Sequence, residues 1–457
     1  MTTDNRAAFR KKLRTSTKFR LSAAQIIILG FLLLILVGGV LLSLPISSAE
    51  RTFTSLEDAM FTSVSATCVT GLTVVPSGSH WSLFGQIIII LLIQIGGLGF
   101  MTLAVMLSIF AKRQISPRER MITAQSLGLS DFGGTVKLVR RILLGTLCIE
   151  LTGAIILSTQ FVPEFGFAKG VWYGVFHSIS SFCNAGFDLM DSYTGFRENY
   201  LVGITVMFLI VLGGIGFIVW DDIVNFIKSH KKISVYSRFV IILTASLILS
   251  GAFFVGMFEW NNPETLANMS VGNKIYHSFF QSVTTRTAGI DFINNSAMTD
   301  STKLICLFYM LIGGASGSTA GGVKVGSFGV LALAVLSFTK GSDEIVLHRR
   351  KVSHETVVRA LTAVSINLSA GILGGMLIAV AENVGLLEAL YETISAISTV
   401  GLSLSLTPDL SLFSHIVVML LMFFGRVGIL TITYSLMLKG ARKKSCISYP
   451  EVNLMIG

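Results

Sequence analysis

Charged residues, prolines and paired cysteines are scarce in this chain of 457 residues. Only 13% of the residues are charged, about half the share of a soluble globular domain. This composition excludes an ordinary soluble enzyme and the disordered or fibrous classes. The five cysteines are scattered without a CxxC pair, so they indicate neither a disulfide framework nor a zinc site. The 7 prolines and the long apolar runs instead predict a polytopic helical membrane protein.

The positive charges are grouped in a way that predicts topology. Most of the 35 lysines and arginines lie before residue 21, within 112–141, 228–238 and 340–359, and after residue 438. These segments alternate with eight apolar stretches that are long enough to cross a bilayer. By the positive-inside rule we expect both termini on the cytoplasmic side of the cell membrane. The net charge of +10 then reflects topology, with a minor contribution to anionic lipid contact, and not nucleic-acid binding.

A segment of twelve residues recurs four times in the sequence. Each copy begins with an aromatic residue and contains, at its eleventh position, a glycine followed by a large apolar residue. The copies are too short to span a bilayer, so each is predicted to be a half-spanning helix that ends in a loop. The copies are FTSVSATCVTGL (61–72), FHSISSFCNAGF (176–187), FFQSVTTRTAGI (279–290) and YETISAISTVGL (391–402).

A second repeated feature follows each of these segments. The glycine-containing clusters GGLG, GGIG, GGAS and GRVG begin 24 to 27 residues after the loop glycine. The repeated segments and the repeated glycine clusters together predict an all-α membrane protein with four span–pore-helix–span repeats around a pseudo-fourfold central pore. In the first, second and fourth repeats we expect the second span to continue as a helix through the cluster.

These patterns divide the whole chain. Segments at the two ends and between repeats 1 and 2 and repeats 3 and 4 are expected to be cytoplasmic. The divisions are the basic N-terminus 1–20, repeat 1 at 21–111, the loop 112–141, repeat 2 at 142–228, repeat 3 at 236–338, the loop 339–359, repeat 4 at 360–438 and the C-terminus 439–457.

The four loops have the composition of a carbonyl-lined potassium filter. Half-helices around one axis point their partly negative C-terminal ends at the centre, which favours a cation there. Loop carbonyls can replace the hydration shell of the ion, and glycine adopts the backbone angles that this requires. No acid lies within the four residues before any loop glycine, which favours K⁺ over divalent cations. The predicted filter residues are Thr67, Cys68, Val69, Thr70 and Gly71; Phe182, Cys183, Asn184, Ala185 and Gly186; Thr285, Arg286, Thr287, Ala288 and Gly289; and Ile397, Ser398, Thr399, Val400 and Gly401.

The repeats and the loops TCVTGL, FCNAGF, TRTAGI and STVGL resemble the Trk/Ktr/HKT superfamily of potassium transporters over essentially the whole chain. The first span at residue 21 and the ending SYPEVNLMIG are similar to KtrB-type membrane subunits. The resemblance implies potassium uptake across a bacterial cell membrane, a homodimer, and a partner ring of cytosolic nucleotide-binding RCK subunits of the KtrA type. It also implies that Na⁺ stimulates uptake. The chain has no GxGxxG motif of its own, so no organic cofactor is expected in it.

The third repeat carries a candidate gate. Residues 313–326 contain six glycines, and each glycine costs a helix about 1 kcal/mol relative to alanine. A flexible intramembrane loop is therefore expected, and the resemblance implies a gating loop at this place; the alternative is close helix packing through small residues. The gating residues are Gly313, Gly314, Gly317, Ser318, Thr319, Gly321, Gly322, Lys324 and, from the fourth repeat, Arg426.

Two arginines fall at membrane depth, where a charge is costly and usually functional. Arg426 aligns with Gly97 of the first repeat, so it is expected to face the axis below the filter and to oppose cation flow. The alternative is a salt bridge to an acid on a neighbouring span. Arg286 precedes Gly289 by three residues and is expected to point behind the filter, bound to carbonyls or to an acid. Its candidate acids are Asp58, Glu392 and Asp291.

Two other classes of function compete with a gated pore. A symporter coupled to Na⁺ or H⁺ typically has inverted repeats around a midplane site, whereas each repeat here contains two full spans and keeps one orientation. An intramembrane enzyme would need a Ser–His pair, an aspartate dyad or HExxH within the spans, and none is apparent. The sequence therefore predicts a channel-like potassium transport subunit that is not an enzyme.

Overall fold

The computed structural model describes residues 23–99, 123, 135–190, 193–230, 232–342 and 344–428. The predicted termini 1–20 and 439–457 and most of the loop 112–141 lie outside these residues. The described chain is predominantly helical with one short hairpin, which confirms the prediction of an all-α membrane protein. Its elements are α1 (Ala23–Ser43), α2 (Leu56–Cys68), α3 (Ser77–His80), α4 (Leu83–Leu98), α5 (Thr135–Phe165), α6 (Phe167–Cys183), α7 (Tyr200–Gly214), α8 (Phe217–Ser229), α9 (Val235–Glu259), α10 (Val271–Thr284), α11 (Asp300–Leu311), α12 (Val325–Thr339), the antiparallel hairpin β1 (Val346–Leu347) and β2 (Arg350–Lys351), α13 (His354–Glu382), α14 (Leu386–Ser398) and α15 (Leu412–Val427).

The long apolar helices are the first spans of the four repeats. Within the described residues, α1, α5, α9 and α13 are each long and apolar enough to cross a membrane. The pair α7 and α8 adds a fifth span if the two helices are counted as one. Helices α4, α12 and α15 are apolar but shorter. The four pore helices α2, α6, α10 and α14 each follow a long span, as the repeated segments predict.

The pore helices pack on the preceding spans through the same small contact. In the first three repeats, a buried serine of the pore helix donates a hydrogen bond to a backbone carbonyl of the preceding span. A glycine on that span leaves room for the serine, because a Cβ at this glycine would lie within about 2.5 Å of the serine oxygen. The bonds run from Ser63 to Ile35 at 2.7 Å, from Ser178 to Glu150 at 2.7 Å and from Ser282 to Ile248 at 2.8 Å.

The second spans break at their glycine clusters, which corrects the expectation of continuous helices. Gly99, Gly216 and Gly428 have φ angles of +85°, +97° and +87°. Only glycine adopts such angles without strain, and they end a right-handed helix. Helices α4, α7 and α15 end immediately before or within one residue of these positions. The stretches 100–110 and 429–438, where two of the spans were expected to continue, lie outside the described residues.

The break in the second repeat is a sharp bend. Helix α8 resumes after Gly216, and its axis turns by 98° from that of α7. The amide of Phe217 donates a 2.8 Å hydrogen bond to the carbonyl of Gly317 in the third repeat. The expected continuation of the second span through the glycine cluster of the second repeat is therefore wrong. The freed backbone group at the bend is satisfied by the neighbouring repeat, as membrane burial requires.

Candidate functional site: a ring of four loops and an intramembrane loop

All four loops after the pore helices adopt the same unusual backbone. In each loop, the residue two positions before the glycine and the glycine itself have positive φ angles. Positive φ is strained for most residues with a Cβ and is tolerated best by glycine and asparagine. The pairs are Val69 and Gly71, Asn184 and Gly186, Thr287 and Gly289, and Thr399 and Gly401.

The loops touch one another in a closed ring. A Cβ placed on Gly186 would lie 2.9 Å from the carbonyl oxygen of Ala288 in the third repeat. Gly71, Gly289 and Gly401 face the carbonyls of the adjacent repeats even more closely, so none has room for a side chain. The carbonyls that face the glycines come from Thr70, Ala185, Ala288 and Val400. Four backbone carbonyls around one axis can replace the hydration shell of a cation.

Hydroxyl groups on the pore helices hold the loops in this shape. Each of these side chains is buried and bonds to backbone at or just after the loop glycine. In three repeats the hydroxyl lies six residues before the glycine, and in the third repeat it lies five before. Ser65 and Ser395 accept from the amides of Gly71 at 3.1 Å and Gly401 at 3.0 Å, Ser180 donates to the carbonyl of Phe187 at 2.8 Å, and Thr284 donates to the carbonyl of Ile290 at 2.7 Å.

A second set of contacts braces two opposite loops from the side. In the second repeat, His177 of α6 lies 3.0 Å from the carboxylate of Asp188, two residues past the loop glycine. The fourth repeat places Glu392 of α14 in hydrogen-bond contact with Ser403, again two residues past the glycine. Both pore-helix residues are fully buried. These polar pairs fix the chain just outside the ring, because a buried charge or imidazole without a partner is costly.

An open cavity of about 340 Å³ lies directly outside the ring. The four loop glycines line it together with Asp188 and Asp291. Burial raises the pKa of the Asp291 carboxyl to about 7; a hydrogen bond from Asn295 opposes this shift, and the nearby charge of Asp188 adds to it. The cavity therefore gains negative charge as pH rises through neutrality and Asp291 ionises.

The glycine-rich stretch of the third repeat forms a loop between α11 and α12, beneath the ring. The amide of Gly313 bonds to the carbonyl of Val323 at 2.9 Å, which closes the neck of the loop. Within the loop that this neck closes, the amides of Ala315 and Thr319 donate hydrogen bonds to carbonyls at the end of α7, at 2.8 Å and 3.2 Å. No part of residues 313–324 is a helix, so the alternative of close helix packing is wrong for this stretch.

Arg426 fastens this loop to the first repeat. Its guanidinium donates to the carbonyl of Thr319 in the loop and to the carbonyls of Gly96 and Gly97 at the end of α4, the last at 2.9 Å. Among the described residues it forms no ion pair with an acid, so the salt-bridge alternative is not what the structure shows. The positive charge is half-buried and touches three of the carbonyls below the ring.

Arg286 and Lys324 bond to backbone. Arg286 is 7% exposed and donates to the carbonyls of Thr244 in α9 and Gly313 at the loop neck, at 3.2 Å and 3.4 Å. It therefore lies behind the ring, and none of its three candidate acids pairs with it. The amine of Lys324 donates to the carbonyl of Ala320 at 2.7 Å, within the glycine-rich loop.

The structure brings the four predicted filter loops together in one ring, with the Arg286 side chain behind it, and the glycine-rich loop and Arg426 lie below the ring. Sequence reasoning missed the acceptors of Arg426, Gly96 and Gly97, and the docking carbonyls of Gly213 and Gly214. These residues belong to the glycine clusters that align in the four repeats, so the repeated clusters were the sequence feature that could have indicated them. Sequence reasoning also missed the pore-helix hydroxyls, although in three of the four copies they stand the same number of residues before the loop glycine.

The described residues contain no group of three or more His, Cys, Asp or Glu side chains that could hold a metal ion. The buried hydroxyls of Thr67 in the last turn of α2 and of Thr70, Thr287 and Thr399 in the loops have no hydrogen-bond partner among the described residues.

Comparisons with known proteins give the family and the fold of the chain. The chain matches the TrkH family, described as cation transport proteins, over residues 5–440. It is 40% identical to the potassium/sodium uptake protein NtpJ of Enterococcus hirae, over 97% of this chain and 99% of that protein. It is 37% identical to the Ktr system potassium uptake protein B of Bacillus subtilis, over 96% and 97%. The crystal structure of the potassium transporter TrkH from Vibrio parahaemolyticus has the same fold, with a TM-score of 0.70 at 19% identity over 90% of this chain and 86% of that chain.

Proposed function

This chain belongs to the TrkH family of cation transport proteins, and from that premise we propose that it takes up potassium ions through a channel-like pore in the cell membrane. It is a membrane ion transporter and not an enzyme. The names of its relatives, a potassium/sodium uptake protein and a Ktr potassium uptake protein, support K⁺ as the transported ion. In this proposal the four carbonyl-lined loops are the selectivity filter.

The observation that carries the proposal is the closed ring of loops. Each loop glycine faces a carbonyl of the next repeat with no space for a side chain. A ring of this kind surrounds one axis, whereas a carrier binds its cargo between two halves that rock against each other. The cavity with Asp188 and Asp291 leads to the ring from outside.

Rubidium uptake into proteoliposomes tests the proposal. Vesicles loaded with K⁺ and diluted into Na⁺-free buffer should accumulate ⁸⁶Rb⁺ down the electrical gradient, with protein-free vesicles as the control. A membrane potential of 100 mV contributes about 2.3 kcal/mol per charge, so this gradient suffices for strong accumulation. If uptake occurs only when a Na⁺ or proton gradient is imposed, the symporter is correct and the pore is wrong. Adding Na⁺ on both sides shows whether Na⁺ stimulates uptake.

The residues beneath the ring are proposed to gate the pore. The glycine-rich loop 313–326 and Arg426 meet directly below the filter and hold each other through the carbonyl of Thr319. A positive charge at this depth opposes cation flow. The structure then corresponds to a closed gate, and opening would require the loop to leave Arg426.

Control from the cytosol is proposed to come from a separate nucleotide-binding ring of the RCK type, with the membrane subunit as a homodimer. The names of several relatives refer to a Ktr system. The basic segments 228–238 and 340–359, the second with the hairpin β1–β2, are suited to a docking face. The positive-inside rule predicts that both termini and these segments face the cytoplasm.

The acid at the outer cavity predicts a dependence on external pH. Because the pKa of Asp291 is raised to about 7, its carboxylate is protonated as external pH falls through neutrality. The cavity then loses negative charge, and ⁸⁶Rb⁺ uptake at sub-saturating concentration should fall by about threefold between roughly pH 8 and pH 6. Asp291→Asn should show low uptake without this pH step.

Asp300→Asn is the matched control for this prediction. Asp300 belongs to the same repeat but its side chain is 84% exposed, in a pair with Lys303. Its replacement should leave the pH profile of uptake unchanged. A pH step that persists in Asp291→Asn would assign the titration to another group.

A further inference from the structure

We infer that the hydrogen bond between Thr319 and Asn184 couples the gating loop to the selectivity filter, so that the position of the loop alters ion preference as well as flux. The inference rests on the proposed function, because it concerns how the same filter and gate act on each other. It assigns Thr319 as a positioning residue for the filter.

Asn184 occupies the strained position of the second filter loop, with φ +59°. Its side chain is 1% exposed and is held from two directions. The amide nitrogen donates to the carbonyl of Arg286 in the third filter loop at 3.3 Å. The amide oxygen accepts from the hydroxyl of Thr319 at 3.0 Å. Asn184 thus links two neighbouring filter loops to the gating loop.

Thr319 is the point of the gating loop where the most contacts converge. Its hydroxyl is fully buried and is shared between Asn184 and the carbonyl of Phe182, 3.1 Å away at the end of the pore helix. Its amide donates to the carbonyl of Gly213, and its own carbonyl accepts from Arg426. Any movement that releases the Thr319 carbonyl from Arg426 therefore also pulls on the hydroxyl that holds the filter.

The junction has no spare space beside the hydrogen bond between Asn184 and Thr319. A Cβ on Gly213 would lie 2.8 Å from both the amide oxygen of Asn184 and the hydroxyl of Thr319. If Thr319 moves away, the amide oxygen of Asn184 becomes a buried acceptor without a donor, which is costly enough to make the side chain reorient. Reorientation of Asn184 changes its bond to Arg286 and so the shape of two filter loops. Because coupling is reciprocal, the ion held in the filter in turn biases the loop.

The other repeats lack this link. The residues equivalent to Asn184 are Val69, Thr287 and Thr399. The hydroxyls of Thr287 and Thr399 have no hydrogen-bond partner among the described residues, and valine has no polar group. Close packing of the gating-loop glycines against Thr287 and Thr399 is therefore steric contact. Among the described residues, the bond from a filter-loop side chain to the body of the gating loop lies in the second repeat, and the third repeat contributes the bond from Arg286 to the carbonyl of Gly313 at the loop neck.

The test compares ion preference and flux in the full chain reconstituted in liposomes. Thr319→Val is nearly isosteric and removes only the hydroxyl. We expect it to shift the K⁺ over Na⁺ permeability ratio, read as the reversal potential under bi-ionic conditions, by about fivefold, the size of one hydrogen bond's net contribution. Thr319→Ser keeps the hydroxyl and should restore the wild-type ratio. Thr205→Val is the matched control, since the Thr205 hydroxyl bonds within α7 to Leu201.

A double-mutant cycle separates coupling from general disturbance. Asn184→Gly removes the amide while tolerating positive φ, and it should itself shift the ratio. Adding Thr319→Val to it should then produce little further shift, because the shared bond is already gone. The ratio does not depend on how much protein is active, so partial misfolding does not obscure it.

Three outcomes are distinguishable. A shifted ratio in Thr319→Val, rescued by serine and non-additive with Asn184→Gly, supports the coupling. A change in ⁸⁶Rb⁺ flux with the wild-type ratio, or additive shifts in the cycle, overturns it and leaves the loop as a simple plug. If the wild-type chain carries no K⁺ down an electrical gradient, the proposed function fails, and the inference falls with it.

Discussion

Gly289→Ser is expected to reduce ⁸⁶Rb⁺ uptake by roughly tenfold or more and to lower the preference for K⁺ over Na⁺. Gly289 has a φ of +65°, which costs a residue with a Cβ about 1–2 kcal/mol. Its Cβ would also press on the Val400 carbonyl of the fourth repeat and lie 2.9 Å from the Cα of Gly401. The serine must therefore displace the neighbouring filter loop, and a displaced carbonyl no longer matches the hydration shell that it replaces.

Two other glycines make this result interpretable. Gly272→Ser in the first turn of α10 is the control, because a Cβ there meets nothing nearer than the Tyr200 hydroxyl at 4.0 Å. It should transport as the wild type does. Gly186 has a φ of +71°, close to that of Gly289, but its Cβ would lie farther from the facing carbonyl, at 2.9 Å. Gly186→Ser should therefore be impaired less, and equal uptake by Gly289→Ser and the wild type would contradict a tight carbonyl ring.

The sequence was sufficient to predict the four repeats and the four loops, for a physical reason. A half-spanning helix that ends in a loop at membrane depth requires small, flexible residues at fixed positions, and the same requirement acts four times. Gly71 and Gly401 are conspicuous because no other residue fits their backbone angles and their contact with the next loop. Such local constraints can be recognised in a single sequence, because they require the same residue type at the same position in each repeat.

The breaks in the second spans were not predicted, because they depend on partners distant in sequence. Apolar composition favours one continuous helix through Gly216, and a glycine within a span is compatible with a helix. The bend becomes stable only when Phe217 bonds to Gly317, about a hundred residues later in the chain. The hydrogen bond between Asn184 and Thr319 was not predicted for the same reason, since the sequence around either residue does not indicate the other as its partner.

The two membrane arginines show how far sequence reasoning reaches. Arg286 was expected behind the filter, because a cation within a cation filter would repel its own cargo, and the structure places its side chain on the Thr244 and Gly313 carbonyls. The choice between carbonyls and an acid needed the structure. Buried guanidinium groups bond well to carbonyls through several donors, so the absence of an acid partner among the described residues causes no conflict with membrane burial.

Arg426→Ala is expected to raise ⁸⁶Rb⁺ uptake by the isolated membrane subunit about tenfold or more. The substitution removes three hydrogen bonds that connect the gating loop to α4, and bonds from a charged donor contribute about 1.5–3 kcal/mol each. It also removes a positive charge from the proposed gate below the filter. Both effects lower the barrier below the filter, while the filter loops keep their own contacts.

Arg426→Lys separates these two effects. Lysine keeps the charge but, as a point donor, cannot reach the carbonyls of Thr319 and of Gly96 and Gly97 at once. If the hydrogen bonds between the gating loop and α4 account for most of the barrier, uptake by the lysine variant should approach that of Arg426→Ala. If the positive charge accounts for most of it, uptake should remain near that of the wild type. Arg359→Ala is the control, since this arginine lies on the exposed face of α13 in a pair with Glu355. Uptake by Arg426→Ala at or below the wild-type rate would show that the arginine does not close the pore, because a closed gate that loses both these hydrogen bonds and the positive charge must conduct more.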